Sequence, residues 1–432
     1  MLKFLALNKK KSLQKLEAIL GNRKFKQKNR SAIIKKILDK VKRKGDQAVV
    51  YYERRFSNLK NKNFRIKFSN SEINKISRKI DANLKKSIDT AYERIIKFHS
   101  KQKITPFKYK DKFKNELSYV YSAIDRVAVY VPGGTASYPS TVLMNCIPAK
   151  VAGVKNIYLT TPALGRNVNP AIIYAAKKCG VKEIYKTGGA HSIAALTYGT
   201  KTFKKVDKIV GPGNTYVASA KKEVFGEVGI DMIAGPSEVS IVADRNSNPD
   251  WIASDLIAQA EHDIFAQVIL VSNSKDLIKS VNLKLKAQLN DLPKKNIASK
   301  SIRNFGLCIY ANTQKKIIDA INIIAPEHLE IDTKNPKKLI KKIRNAGSIF
   351  IGKFSPEAMG DYIAGPNHVL PTSGSARFAS GLSVNDFVKR HSLIKITKSG
   401  IERLGPSVIN LAQHENLDGH ANSVKIRLKK EL

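Results

Sequence analysis

From Val127 onward, short β-branched runs alternate with glycine-rich turns and helix-period stretches, and that alternation restricts the chain to an α/β architecture. The runs are Val127–Val131, Asn156–Thr161, Glu183–Thr187 and Lys208–Val210. The turns between them are Pro132-Gly133-Gly134, Gly188-Gly189 and Gly211-Pro212-Gly213. A second series follows, with strands expected over Val239–Ala243, Gln267–Ser272, Gly306–Ala311 and Ser348–Ile351. Helices are expected over Asp250–Glu261, across a lysine-rich region near 275–300, and from Thr313. Two α/β domains with parallel sheets are therefore expected. Residues 1–110 are predicted to be mainly helical, since Ser31–Phe56 and Ser71–Gln102 place apolar residues at helical spacing. The tail from about 382 shows little strand pattern and is predicted to be a helical appendage.

Composition narrows the function classes. The chain has 432 residues, of which 42% are hydrophobic, enough for more than one buried core. No apolar run approaches the roughly 18–20 residues of a membrane span, and Met1–Asn8 lacks the features of a secretory leader, so a cytoplasmic protein is expected. Cys146, Cys179 and Cys308 form no CxxC pair, so any metal must use His, Asp, Glu or amide ligands. The net charge is +42, from 77 Lys and Arg against 35 Asp and Glu. Much of the excess is lysine on expected helix faces, as at Lys9-Lys10-Lys11, Lys35-Lys36, Lys294-Lys295 and Lys337-Lys338. No helix-turn-helix, zinc finger or RNP pattern accompanies it, and no specific nucleic-acid partner is expected.

The motifs that carry chemistry are spread along the chain. The dinucleotide fingerprint GxGxxG and the P-loop are both absent. Gly188-Gly189 and Gly211-Pro212-Gly213-Asn214 lie between a strand and a helix, where backbone N–H groups can hold phosphate, or serve only as turns. Most of the eight histidines fall after residue 260, and several adjoin carboxylates, as in Glu261-His262-Asp263, Glu327-His328 and His414-Glu415. Gln259 and His262 share a helix face, which suits one ion or an ordinary polar surface. Glu327-His328 follows Pro326, which is expected to hold Ala325 extended and to start a turn or helix. Neighbouring Glu and His offer proton acceptors of different strength. Ser237, in a Gly-Pro-Ser-Glu turn, can hydrogen-bond a ligand but has no paired base.

Taken together, the stretches VPGGTASYPSTVLMN (131–145), GGAHSIAALTYGT (188–200), VDKIVGPGN (206–214), IDMIAGPSEVSIVAD (230–244), SDLIAQAEHD (254–263), APEHLEI (325–331), GDYIAGPNHVLPTSGSARFASGLSV (360–384) and ENLDGHAN (415–422) resemble the histidinol dehydrogenase family. The resemblance covers nearly the whole chain and is strongest from about residue 125.

The resemblance implies a zinc ion, one per subunit, held by Gln259, His262, Asp361 and His420. It implies proton acceptors at Glu327 and His328, and substrate contacts at Ser237, His368 and Glu415 beside His328 and the zinc ligands. It implies NAD contacts at Tyr130, Asn214 and His191, the last standing where the family usually has glutamine. The fold implied is α/β, with two incomplete Rossmann-like domains of parallel sheets plus small helical N- and C-terminal appendages. Its expected parts are 1–25 as an N-terminal appendage, 26–129 with 237–381 as the domain carrying metal and bases, 130–236 as the NAD side, and 382–432 as a tail reaching the partner's site. The implied assembly is an intertwined homodimer with shared active sites. The implied reaction takes L-histidinol through bound histidinaldehyde to L-histidine. Two alternatives stay open at this point: a related zinc- and NAD-dependent dehydrogenase of another small polyol, such as a sulfonated diol, and a non-catalytic nucleic-acid-binding protein.

Overall fold

A computed structural model describes the chain except residues 9–10, 26–30, 58–63, 103, 134–137, 164–167, 234, 294 and 430–432. Lys9, Lys10 and Lys294 of the lysine runs and Gly134 of the first glycine-rich turn lie outside the described residues. The chain forms two units, Met1–Gln102 with Asp125–Asp386, and Lys103–Ile124 with Phe387–Leu432.

The first unit contains two parallel sheets. In the first sheet the central strand is β4 (Arg126–Tyr130). On one side lie β5 (Asn156–Thr160) and then β6 (Glu183–Tyr185); on the other lie β7 (Lys208–Val210) and then β8 (Gly229–Ile230). All neighbours run parallel. The chain leaves β4 in one direction and returns to build the other, so a topological switch point lies between β4 and β7, where α/β sheets bind ligands. The crossover helices are α6 (Pro139–Val151), α7 (Pro170–Cys179), α8 (Gly189–Tyr198) and α9 (Thr215–Val224).

Four more helices pack on this sheet's side: α2 (Ser31–Lys44), α3 (Asp46–Phe56), α4 (Asn70–Ser77) and α5 (Ala82–His99). The apolar face of α2, Ile34, Ile37, Leu38 and Val41, shares one buried cluster with Ile193, Leu196 and Val217. α4 packs on α7, and α5 on α6. The apolar stripe of α2 finds its partner surface on α8 and α9, so these helices extend this sheet's layer.

The second sheet has the order β1 (Lys3–Ala6), β11 (Leu307–Tyr310), β10 (Gln267–Ser272), β9 (Glu238–Ala243), β12 (His328–Asp332), β13 (Ser348–Ile351). It too is parallel throughout, and it grows both ways from β9. Every residue of β9 and β10 is buried, as expected of strands covered on both faces. Its helices are α1 (Ser12–Phe25), α10 (Pro249–Ala260), α11 (Lys275–Asp291), α12 (Lys295–Phe305), α13 (Gln314–Ile324) and the short α14 (Pro336–Ile340) and α15 (Glu357–Tyr362). The N-terminus is thus not purely helical: Lys3–Ala6 forms an edge strand paired with β11.

The second unit is an antiparallel sheet with two helices. β3 (Glu116–Ala123) lies between β2 (Phe107–Lys110) and β14 (Val388–Lys395), followed in sequence by α16 (Lys398–His414) and α17 (Asp418–Leu428). The tail was expected to be helical. β14 is nearly all exposed, so its ladder with β3 holds it without a buried face, and no period-two pattern marks it. Among the described residues, no helix is long and apolar enough to cross a membrane.

Candidate active site

At the switch point of the second sheet, β9 and β12 run side by side, with His328 opposite Val239. The amino ends of these strands hold the titratable cluster. α13 ends at Ala325, which adopts a left-handed conformation with φ 48° and ψ 59° and whose N–H bonds Ile321 O. The expectation of an extended Ala325 is therefore corrected, and of the two alternatives expected there, a turn or a helix start, the chain takes the turn. Closing α13 takes a left-handed residue, Pro326 cannot continue the helix, and the chain turns directly into β12.

This turn places Glu327 and His328 against one residue of β9. The Glu238 N–H donates to Glu327 Oε2 at 2.8 Å, and His328 Nδ1 lies 3.0 Å from Glu238 O. A carbonyl only accepts, so Nδ1 carries the proton and Nε2 is the free position of the neutral ring. Nε2 is buried, lies 3.5 Å from Asp361 Oδ1 and has no hydrogen-bond partner among the described residues. Glu357 Oε1 lies 3.6 Å from Nδ1. Burial pushes the Glu327 carboxyl up to about 8. Burial pulls the His328 imidazole down, but the carboxylates of Glu357, Glu327 and Asp361 outweigh it and hold the ring well above its ordinary value. Asp361 stays below the usual range despite burial, because the neighbouring His328 imidazole favours its charged form.

His328, Glu357 and Asp361 bring three ligand-type atoms within 4.8 Å of one another. Gln259, in the last turn of α10, is fully buried, and both atoms of its amide lack a partner among the described residues. Two orphaned amide atoms in the interior are costly unless something binds them. His262, just beyond α10, is exposed, and its charge acts on Asp361 and His368. His368 Nδ1 donates to Asp361 O at 2.8 Å, and burial lowers its imidazole. A pocket of about 350 Å³ is lined by His328, Phe350, Asp361, Asn367 and His368. Ser237 is half-buried immediately before β9. Glu415 and His420 belong to the second unit and are exposed there, Glu415 as the C-cap of α16 and His420 on α17.

At the carboxyl ends of the first sheet stand the other expected contacts. Tyr130 ends β4, and its hydroxyl accepts the Gly189 N–H at 3.0 Å. Gly211 follows β7 with φ +106°, and a Cβ there would meet Tyr130 O at 2.2 Å. The Lys221 ammonium bonds Gly211 O at 3.0 Å and pairs with Asp231, whose other oxygen accepts the Gly211 N–H at 2.8 Å. Asn214 caps α9, its side-chain oxygen accepting from Tyr216 and Val217. His191 is buried: its Nε2 lies 2.9 Å from Glu53 Oε2, its ring packs beside Tyr52 and Phe56, and its Nδ1 has no partner among the described residues.

The structure therefore gathers Glu327, His328, Asp361 and His368, and it sets Tyr130, His191 and Asn214 at the ends of the other sheet. Sequence reasoning missed Glu357 and Glu53. Neither belongs to a motif, and a buried acid is visible in sequence only once its burial is known.

Comparison with known proteins follows the same lines. The histidinol dehydrogenase family model matches residues 21–428. A histidinol dehydrogenase of Pelagibacter ubique is 55% identical over 432 residues, covering 100% of both chains. One from Brucella abortus is 48% identical over 415 residues, covering 96% of each. A crystal structure of histidinol dehydrogenase from Elizabethkingia anophelis superposes with a TM-score of 0.92 at 37% identity, covering 99% of this chain and 98% of that one.

Proposed function

The chain belongs to the histidinol dehydrogenase family, an oxidoreductase family of histidine biosynthesis, and from this premise we propose that it oxidises L-histidinol through bound histidinaldehyde to L-histidine with zinc and NAD. The observation that carries this reading is the Glu327–His328 pair, both bonded to the Glu238 main chain, with His328 facing Asp361 in a lined pocket.

Gln259, His262 and Asp361, with the partner subunit's His420, would hold the metal. The donor set fits: Gln259 has orphaned amide atoms, and several carboxylates crowd one imidazole, an arrangement that a cation relieves. When bound, zinc supplies a Lewis-acidic template that orients the substrate. When bound, NAD supplies the hydride acceptor, against Tyr130, His191 and Asn214.

The protein's own residues move the protons. His328 Nε2 accepts the alcohol proton as hydride leaves the carbinol carbon, giving the aldehyde. Glu327 takes a proton from water as the oxygen adds to the aldehyde, while the proton held by His328 passes to the aldehyde oxygen, giving the hydrate and leaving the imidazole neutral again. His328 then accepts a hydrate hydroxyl proton as the second hydride leaves, giving the carboxylic acid, which releases its remaining proton to solvent as the carboxylate. Ser237, His368 and the partner subunit's Glu415 bind substrate. Keeping the aldehyde enclosed prevents loss of a reactive intermediate. The protein acts in the cytoplasm as a homodimer.

The test is NADH formation with purified protein and L-histidinol, before and after chelation. Two NADH per histidinol, lost on chelation and restored by zinc, is the expected result. One NADH with free aldehyde accumulating refutes the two-step reading.

A further inference from the structure

Glu238 is gripped by its side chain at a point where its main chain holds both proposed bases. Arg23, on α1, is 7% exposed, and its whole guanidinium is engaged. Nε donates to Phe265 O at 3.1 Å. Nη1 pairs with the Glu238 carboxylate and reaches Gln267 Oε1 at 3.4 Å. Nη2 donates to Pro236 O at 2.7 Å and Ser237 O at 3.3 Å. The Ser373 N–H also donates to Glu238 Oε1, at 2.9 Å. A planar fork of this kind fixes several acceptors in one arrangement, which a point charge on a flexible stem cannot do.

We propose that Arg23 is a positioning residue for the reaction, holding Pro236–Glu238 so that the Glu238 main chain orients Glu327 and His328. The proposal rests on the reading of those two residues as bases. The route is short. The Glu238 N–H donates to Glu327 and the Glu238 carbonyl accepts from His328, so a shift of this backbone moves both bases together. Ser237, the proposed substrate contact, moves with them. Stability alone does not call for such a pair, because a well-packed apolar substitute serves a core as well as a buried ion pair does. None of the proposed NAD contacts, Tyr130, His191 and Asn214, is among the residues that Arg23 grips.

The experiment is steady-state kinetics of Arg23→Ala on both half-reactions, at varied NAD and varied substrate. kcat falls about 10²-fold in both, the scale of a misplacement near 1 Å, while KM for NAD and zinc content stay at wild-type values. A pocket of about 140 Å³ lined by Glu17, Arg23, Glu238, Gln267, Ser373 and Arg377 adjoins the side chain. Millimolar guanidinium therefore restores part of the lost kcat, and sodium chloride at equal ionic strength does not. Arg23→Lys and Glu238→Gln serve as further variants should Arg23→Ala fail to fold, and each is expected to lose less kcat with KM for NAD unchanged. Wild-type kcat in the folded variants overturns the proposal. So does a loss confined to KM for NAD, or a loss in Arg23→Ala that guanidinium leaves untouched. Glu327→Gln and His328→Asn run in parallel: full activity in those two refutes the base assignment itself, whereas their loss beside active Arg23 variants refutes only the role of Arg23.

Discussion

Glu327 and His328 are adjacent in sequence yet face different tasks, and their surroundings separate them. Glu327 is enclosed, with one main-chain N–H as its partner, while His328 is surrounded by carboxylates. Glu327→Gln keeps the shape and removes the proton acceptor. Oxidation of the aldehyde is expected to fall by about 10²–10⁴-fold, far more than oxidation of the alcohol; equal losses in the two half-reactions count against Glu327 as the water activator. His328→Asn impairs both. The same substitution in Glu327 has a stability consequence whose sign follows from linkage. Its folded pKa is about 8 against an ordinary 4.5, so the folded state keeps a proton that the unfolded chain has released. That costs stability progressively from the lower value to the higher and stays constant above it. In the metal-free protein, Glu327→Gln is therefore expected to gain melting temperature over wild type at pH 8 relative to pH 4, and a gap that does not widen with pH contradicts the buried-acid account. His191 presents a different case. Its Nε2 is already committed to Glu53, and a glutamine amide can also donate to that carboxylate. His191→Gln is expected to stay active with a modest change in KM for NAD, measured at fixed histidinol. Complete inactivity with the fold intact would assign His191 a task that a hydrogen-bond donor does not fulfil.

At the scale of elements, the strands that form the two sheets were legible wherever burial wrote itself into the sequence. Lys208–Val210, Gln267–Ser272 and Ser348–Ile351 lie where their β-branched runs predict, and Thr313 caps the helix expected to start there. What stayed hidden was held by something other than an apolar pattern. β14 is held by its ladder, β1 is four residues at an edge, and β12 begins within a sequence that reads as a turn. In the candidate site, the motif-bearing groups were legible, while Glu357, Glu53 and Arg23 depend on partners far away in the chain. The glycine-rich turns were legible as turns but ambiguous between structure and binding, and Gly211 shows why. Its positive φ, its approach to Tyr130 O and its bonds to Lys221 and Asp231 make it structural, and the same arrangement shapes the end of the sheet where NAD is proposed to lie. Gly211→Ala is expected to destabilise by about 1–3 kcal/mol through backbone strain alone, read as a lower urea midpoint, and to raise KM for NAD. An unchanged midpoint would mean that the turn relaxes freely.

The molecule as a whole carries a tail that looks incomplete as a single chain. In the second unit, Leu404, Val408, Leu411, Leu417 and Ile426 on and between α16 and α17 are exposed, as are Leu393 and Ile394 on β14. These exposed apolar side chains agree with the proposed pairing of the tail with a second copy of the chain. Glu415 and His420 lie among these residues, exposed on the same tail. If each active site takes Gln259, His262 and Asp361 from one chain and His420 from its partner, then His262→Ala and His420→Ala homodimers are each nearly inactive, since every site lacks a ligand. Mixing the two unfolded variants equally and refolding them gives about half heterodimers, by random pairing between symmetric partners. In a heterodimer one site carries both lesions. The other carries neither, because its His262 comes from the His420→Ala chain and its His420 from the His262→Ala chain. Half of the dimers then hold one intact site of two, so roughly a quarter of wild-type activity returns under this symmetric pairing. Heterodimers confirmed by mass, with activity no higher than that of the parents, would show that each site draws all its ligands from one chain.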